Sequence, residues 1–157
     1  MRCLVTGGAG FIGSNLVDRL IDDGHDVVIV DNLSTGKVEN INKKAKFHNI
    51  DISKDNFHSI FEGVDVVFHL AALARVQPSI DEPLEYHKVN VDGTHNLLVA
   101  ARDVGVKRFV FSSSSSVYGD AKEVPTTENC KLNPMSPYAL HKLIGEQYCK
   151  LFSELYG

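Results

Sequence analysis

Short apolar runs alternate along the chain with segments whose apolar residues recur every three or four positions. Residues 2–6, 27–31 and 64–70 are apolar runs, and shorter segments of the same kind follow at 46–50 and 107–112. Apolar runs without a polar alternation are typical of strands that are covered on both faces of a sheet. We therefore predict five short strands.

The segments between and after these runs predict helices. Residues 11–22 have helical spacing that ends at Gly24, Pro83 opens a helical stretch that reaches about residue 104, and residues 138–156 close the chain. The stretch 120–137 contains three prolines and predicts a loop. Strands that alternate with helices predict an α/β fold, a doubly wound parallel sheet of the Rossmann type. Ligands of such sheets bind beyond the carboxyl ends of the strands.

Composition restricts the classes of function. The 157 residues fit one domain, and a net charge of −4 favours neither nucleic acid nor an anionic membrane as a partner. No apolar run reaches membrane-spanning length. Cys3, Cys130 and Cys149 are far apart and predict reduced thiols, and no spacing of His or Cys residues predicts a metal site. We expect a cytoplasmic protein.

A glycine-rich turn joins the first predicted strand to the first helix. Gly7, Gly10 and Gly13 allow a tight turn, and the start of the helix offers free N–H groups to a pyrophosphate. Asp31 ends the next strand, where a carboxylate binds the ribose hydroxyls of adenosine and repels a 2′-phosphate. The next basic residue is Lys37. This pattern favours NAD over NADP; the alternative is that Asp31 is simply an acid at the end of a strand.

Tyr138 and Lys142 are one helical turn apart and share one face of the last helix. An ammonium close to a phenol favours the ionised phenol, which can then act as a general base. The same spacing also occurs in ordinary pairs on helix surfaces. Because Tyr138 and Lys142 follow a dinucleotide-binding pattern in the same chain, we favour a catalytic pair.

Five serines, residues 112–116, follow the last predicted strand. A hydroxyl at that edge of the sheet can bind the substrate oxygen that exchanges a proton with Tyr138. Most of the serines satisfy backbone groups of the turn.

These residues together resemble the extended short-chain dehydrogenase/reductase superfamily and, within it, the NAD-dependent epimerase/dehydratase family. They look most like the UDP-hexose 4-epimerases, which include UDP-glucose and UDP-N-acetylglucosamine 4-epimerases. The matching blocks run in order along the whole chain, at residues 6–13, 31–36, 51–52, 69–72, 90–94, 117–119 and 136–138.

The resemblance implies a set of residues around NAD. On the pyrophosphate and adenosine side these are Gly7, Gly10, Phe11, Ile12, Gly13, Asp31, Asn32, Ser34, Thr35, Gly36, Asp51 and Ile52. On the nicotinamide side they are Leu70, Ala71, Ala72, Ala74, Asn90, Tyr138 and Lys142.

The resemblance also implies an activity, the epimerisation of C4 of a UDP-hexose through a transient 4-keto sugar. Tyr138 would be the base, Lys142 would hold the nicotinamide ribose, and Ser114 would share the sugar hydroxyl, with Ser115 and Ser116 beside the substrate. Ser114 is favoured because it lies four residues before Tyr118. Related dehydratases carry acidic residues in this segment that eliminate water, and related decarboxylases keep a glutamate there. The serines at 114–116 offer no such carboxyl group. A dehydratase, a reductase and a non-catalytic NAD-binding module are the alternatives.

The resemblance has consequences for organisation and substrate. Members of the family continue into a substrate-binding domain, so we expect residues 1–157 to be an NAD-binding domain without that part and to turn over weakly or not at all by themselves. Ala74 stands where galactose-type epimerases often have a lysine, and Arg75 could meet an anionic group or cap a helix. The helices 84–104 and 138–156 have broad apolar faces that could pair in a homodimer or pack only within one chain.

Overall fold

The computed structural model describes residues 1–54 and 57–157, and five parallel strands in them form one sheet. The strands are β1 (Arg2–Thr6), β2 (Asp26–Asp31), β3 (Lys46–Asn49), β4 (Val66–His69) and β5 (Arg108–Phe111). All five predicted strands are confirmed, with ends that differ by at most two residues.

The order of the strands creates a crevice. They lie in the sequence β3-β2-β1-β4-β5, so the chain moves outward from β1 to β3 and then crosses to the other side of β1 for β4 and β5. The loops that leave β1 and β4 diverge at this reversal, on the edge of the sheet where all strands end. The predicted doubly wound sheet is confirmed.

Helices cover both faces of this sheet. They are α1 (Phe11–Asp22), α2 (Val76–Asp81), α3 (Pro83–His87), α4 (Gly93–Val104) and α5 (Pro137–Tyr156). A π-helical turn, Lys88–Asp92, joins α3 to α4 without a break in helical backbone, so the predicted helix from residue 83 to 104 is confirmed as one continuous stretch. The sequence pattern does not predict α2, because its six residues are too few to show a helical repeat.

Each face of the sheet has its own apolar core. Leu4 and Val67 point to one face and pack with Leu97 of α4. Val5 points to the opposite face and packs with Val17 of α1. Because side chains alternate along a strand and both faces are covered, the strands carry apolar residues at consecutive positions.

Residues 120–136 contain neither helix nor strand, as the proline-rich stretch predicts. The N–H of Asn133 donates to the carbonyl of Val117 at 2.9 Å and attaches this loop to the end of the serine run. Over residues 1–54 and 57–157, no helix has the length and apolar character needed to cross a membrane. Within the same ranges, no group of three His, Cys, Asp or Glu side chains is arranged to hold a metal ion.

Candidate functional site

The turn from β1 into α1 brings the backbone very close to itself. Gly7 has φ of +72°, and a Cβ atom on Gly13 would lie 2.1 Å from the Gly7 carbonyl oxygen, so both positions require glycine. Phe11 and Ile12, the first residues of the helix, are 84% and 63% exposed. The N–H groups of a first helical turn lack intrahelical partners. This turn therefore presents an open helix start that suits a phosphate group.

Asp31 ends β2 and lies beside the glycine turn. Its carboxylate accepts the N–H of Ala9 at 3.0 Å and the N–H of Leu33 at 2.8 Å. The following loop is attached to the same turn, because the N–H of Lys37 and the side-chain amide of Asn40 both donate to the Ala9 carbonyl, at 3.0 and 2.9 Å. Each carboxylate oxygen can accept further hydrogen bonds. Asp31 is therefore fixed in position and still able to bind hydroxyl groups.

A cleft of about 150 Å³ runs along the carboxyl edge of the sheet from the end of β2 to the segment after β4. The predicted cofactor residues that line it are Gly7, Gly10, Asp31, Asn32, Ser34, Thr35, Asp51, Ile52, Leu70, Ala71 and Ala72. The fold thus brings residues from the ends of four different strands around one space.

Asp51 lies at the end of the cleft that follows β3. Its carboxylate accepts the N–H and the hydroxyl of Ser53 at 2.9 and 2.7 Å and forms an ion pair with Lys54 at 3.0 Å. Burial by itself raises the pKa of Asp51, but these hydrogen bonds and the lysine charge together lower the pKa below its ordinary value. The carboxylate is therefore ionised at neutral pH.

The remaining cofactor residues predicted from the sequence lie beside the cleft rather than in its lining. Phe11 and Ile12 extend from the start of α1, and Gly36 packs against Asp31, since a Cβ atom there would lie 3.0 Å from the carboxylate. Ala74 is exposed at the end of the segment 70–74. The next residue, Arg75, occupies the N-cap position of α2 without a side-chain capping bond.

Asn90 of the π-helical turn is 5% exposed, so it does not lie on the outer face of its helix. Its side-chain amide donates to the carbonyl of Leu73 at 3.0 Å, and its side-chain oxygen accepts the N–H of the same residue at 2.9 Å. Asn90 thereby holds the segment after β4 in place. The prediction that it also faces the cofactor stays a prediction.

Some residues that line the cleft were not among the individually predicted residues, namely Val30, Ile50, Leu73, Glu85 and Val89. Val30 and Ile50 are direct neighbours of predicted residues. Glu85 and Val89 come from α3 and the π-helical turn, which reach the cleft only through tertiary packing. Nothing local in the sequence marks them.

Helix α5 carries Tyr138 and Lys142 on its buried face. Ser136 caps the helix, because its hydroxyl oxygen accepts the N–H of Ala139 at 3.1 Å. The N–H of Tyr138 donates to the hydroxyl of Ser79 in α2, also at 3.1 Å. Tyr138 and Lys142 are 9% and 5% exposed. The start of the helix is therefore fixed at both its cap and its contact with α2, which fixes the position of the tyrosine.

The ammonium of Lys142 lies at the end of β5. It donates to the carbonyl of Ser112 at 2.8 Å and lies 4.9 Å from the centre of the Phe111 ring. The N–H of Ser112 in turn donates to the carbonyl of His69 at the end of β4. Burial lowers the pKa of Lys142 to about 8. An ammonium has three N–H donors, so two remain to bind other groups beside these strand ends.

Ser114 is the N-cap residue of the 3₁₀ turn Ser115–Tyr118. Its hydroxyl oxygen accepts the N–H and the hydroxyl of Ser116, at 3.2 and 2.9 Å. Its own hydroxyl hydrogen is used in neither bond, so it can donate to a further acceptor.

The sequence predicts no carboxyl group beside the serine run, yet one reaches it from another element. Ser113 donates a hydrogen bond to the carboxylate of Glu146, which lies one turn beyond Lys142 on α5. The helical spacing of Lys142 and Glu146 is visible in the sequence. The contact itself depends on how α5 packs against β5.

Residues 3–157 match the model of the NAD dependent epimerase/dehydratase family. The chain belongs to this family. The resemblance inferred from its motifs is confirmed.

Solved structures of epimerases are similar to the chain over almost all of its length. The UDP-glucose 4-epimerase of Thermotoga maritima, determined with UDP-glucose, is 45% identical with a TM-score of 0.96 over 100% of this chain and 52% of that one. The UDP-N-acetylglucosamine 4-epimerase of Methanobrevibacter ruminantium, in complex with UDP-N-acetylmuramic acid, is 44% identical with a TM-score of 0.94 over 99% and 51%. The UDP-glucose 4-epimerase of Thermus thermophilus, in complex with NAD, is 40% identical with a TM-score of 0.96 over 100% and 52%.

The chain spans about half the length of the curated relatives it matches. These relatives include a UDP-glucose 4-epimerase of Mycolicibacterium smegmatis, 46% identical over 99% of this chain.

The buried ammonium of Lys142 predicts a specific pH dependence of stability. Its pKa of about 8 in the folded chain lies below the ordinary value of 10.5, so between these pH values the unfolded chain binds more protons and the free energy of unfolding rises with pH. Relative to Lys142→Met, the free energy of unfolding of the wild type should rise by about 2 kcal/mol between pH 7.5 and 10. Urea unfolding at a series of pH values measures this difference.

The matched control is Lys150→Met, because the Lys150 side chain on the same helix is 73% exposed. This variant should keep the pH dependence of the wild type. Parallel curves for the wild type and Lys142→Met would contradict the burial of a charged Lys142.

Proposed function

We propose that the cleft binds NAD, with adenosine at Asp31 and Asp51 and the nicotinamide beside residues 70–74 and Lys142. The observation that carries this proposal is the fixed Asp31 carboxylate next to the open start of α1. This pair suits the ribose hydroxyls and the pyrophosphate of one dinucleotide. Residues 32–36 contain no cation to bind the 2′-phosphate of NADP.

We propose that the complete protein is an NAD-dependent UDP-hexose 4-epimerase. When bound, NAD supplies the acceptor and later the donor of the C4 hydride. Tyr138 takes the proton of the 4-hydroxyl as the 4-keto sugar forms. After the sugar has rotated to present its other face, Tyr138 returns a proton to the same oxygen. Ser114 donates a hydrogen bond to the same oxygen. Lys142 holds the nicotinamide ribose.

Other activities make different demands on the chain. A dehydratase needs a carboxyl group at the sugar, and residues 112–116 are all serine. The carboxylate of Glu146 bonds to Ser113 rather than to Ser114. A reductase would consume NADPH, which the charge of Asp31 disfavours. A non-catalytic NAD-binding module needs no base. The fixed position of Tyr138, buried near the capped start of α5, argues against such a module.

The direct test uses the full-length gene product and a panel of UDP-hexoses that includes the glucose, galactose and N-acetylglucosamine types. NMR should detect interconversion of C4 epimers without added NADH. Tyr138→Phe should reduce the rate by about 100-fold or more, because it removes the general base. Tyr156→Phe, at the exposed end of the same helix, should leave the rate unchanged.

A dehydrated sugar or net reduction would identify one of the other enzyme classes. NAD binding without conversion of any sugar would identify a non-catalytic module. The chain spans about half the length of its curated relatives, so we expect weak or no turnover from these 157 residues alone, and the full-length gene product is the decisive sample.

The choice of NAD over NADP should depend on Asp31. Asp31→Asn keeps the size of the side chain but removes the charge that repels a 2′-phosphate and weakens the bond to the ribose hydroxyls. NAD affinity should fall by about tenfold, and the preference for NAD over NADP should narrow. Titration calorimetry with both cofactors measures each change.

The control for this experiment is Asp26→Asn at the opposite end of the same strand, where the Asp26 side chain is 70% exposed. It should leave both affinities unchanged. An unaltered ratio of NAD to NADP affinity in Asp31→Asn would exclude Asp31 as the residue that selects the cofactor.

We further propose a cytoplasmic homodimer that pairs residues 84–104 and 138–156 of two copies. The support is apolar exposure on these segments, since Leu84, Leu140 and Leu155 are 86%, 47% and 62% exposed. The double variant Leu84→Glu/Leu140→Glu should lower the sedimentation mass from two chains to one. Exposed Val124→Glu, in the loop 120–136, serves as the control. A wild-type chain that sediments as a monomer would refute the homodimer of this domain.

A further inference from the structure

His69 ends β4 and lies in the interior, with 1% of its surface exposed. Its ring packs against Phe109 and Phe111, at centroid distances of 5.9 and 5.6 Å. Both ring nitrogens have hydroxyl partners. Nδ1 lies 2.7 Å from the Thr6 hydroxyl at the end of β1, and Nε2 lies 2.9 Å from the Thr94 hydroxyl in α4.

The hydroxyl groups determine which ring nitrogen carries the hydrogen. Thr94 donates its only hydroxyl hydrogen to the carbonyl of Asn90 at 2.6 Å, so it must accept the hydrogen bond from Nε2 of His69. Nε2 therefore carries the hydrogen, and Nδ1 is an acceptor. Thr6 then donates its own hydroxyl hydrogen to Nδ1.

The Thr6 oxygen is left with two backbone donors. It accepts the N–H of Leu70 and the N–H of Ala71, each at 3.2 Å. A second hydrogen on the imidazole would give this oxygen a third donor and leave its own hydrogen without an acceptor. The network therefore fits only the neutral ring.

The surroundings of the ring agree with this deduction. Burial lowers the pKa of His69 to about 3, and the charge of Lys142 lowers it in the same direction. Both causes keep the imidazole neutral when the pH falls through the range in which an exposed histidine gains a proton.

The same network fixes both ends of the segment that follows β4. Thr6 holds the N–H groups of Leu70 and Ala71 at the start of the segment. At its end, Asn90 bonds to both backbone groups of Leu73, and the carbonyl of Asn90 is held by Thr94. His69 lies between Thr6 and Thr94 and connects the two ends.

We propose that His69 is a positioning residue that, as a neutral imidazole with its hydrogen on Nε2, sets the shape of residues 70–73 and so the nicotinamide side of the cleft. The identification of this side of the cleft with nicotinamide rests on the function proposed above. The shape of residues 70–73 is independent of that function, because it follows from hydrogen bonds within the chain. The two proposals can therefore fail separately.

The state of the ring can be measured directly in the wild-type chain. NMR of the chain with ¹⁵N-labelled histidine distinguishes the two neutral tautomers and the protonated ring. We expect His69 to show the Nε2–H pattern without change from pH 7 to pH 5. An Nδ1–H pattern, or protonation within that range, would overturn the proposal without reference to any cofactor.

The effect on the segment is tested with a pair of variants of almost equal size. His69→Asn places an amide oxygen where Nδ1 accepts from Thr6, whereas His69→Leu places a methyl group there. Hydrogen exchange of the Ala71 amide should be about tenfold faster in His69→Leu than in His69→Asn, as expected for the loss of one fixed acceptor. NAD should bind about tenfold more weakly to the leucine variant.

A second pair of variants, at Thr6, provides the test if the cavity left by removing the His69 ring prevents folding. Thr6→Ser retains the hydroxyl and Thr6→Val removes it. The serine variant should keep slow exchange at Ala71 and wild-type NAD affinity, and the valine variant should lose both. Equal Ala71 exchange, or equal NAD affinity, within the pair would overturn the positioning role. A wild-type chain that binds no NAD would refute the proposed cofactor, and the tautomer and exchange measurements would still decide the role of His69 in the segment.

Discussion

The common direction of the five strands is the constraint on which the site depends. Because all of them end at one edge of the sheet, the residues that follow the five strands meet there although they are far apart in the sequence. The reversal of strand order at β1 opens the crevice in which Gly7 and Asp31 face the segment after β4. No single loop contains the site. It exists because the hydrophobic cores on both faces hold the strands in register.

The two buried charged side chains at this edge, Asp31 and Lys142, are stabilised by different contacts. Asp31 is a buried carboxylate whose burial is offset by backbone N–H groups, so it is held in place although no residue in 1–54 or 57–157 forms an ion pair with it. Lys142 is a buried ammonium that meets a carbonyl and an aromatic ring rather than a carboxylate, and its burial lowers its pKa. A neutral His69 avoids a second cation beside it. Lys142 thus keeps its N–H donors available to a ligand on the same buried face of α5 that carries Tyr138.

The sequence predicts most of this arrangement because its signals are local. Apolar runs locate the strands, the glycine turn and Asp31 locate the proposed adenosine end of the cleft, and the spacing of Tyr138 and Lys142 follows from one helical turn. Side-chain contacts between elements have no such signal. The bond from Ser113 to Glu146, the approach of Glu85 and the two bonds from Asn90 to Leu73 all depend on how helices pack against the ends of strands. His69 belongs to a block that is visible in the sequence, but its tautomer follows only from the directions of the neighbouring hydroxyl groups.

The most direct measurement is a crystal structure of the chain with NAD bound. We expect adenosine ribose hydroxyls within about 3.2 Å of the Asp31 carboxylate, the pyrophosphate at the start of α1, and the nicotinamide ribose hydroxyls at the same distance from the Lys142 ammonium. A dinucleotide that lies outside the crevice between β1 and β4, or one whose nicotinamide end points away from α5, would contradict this placement.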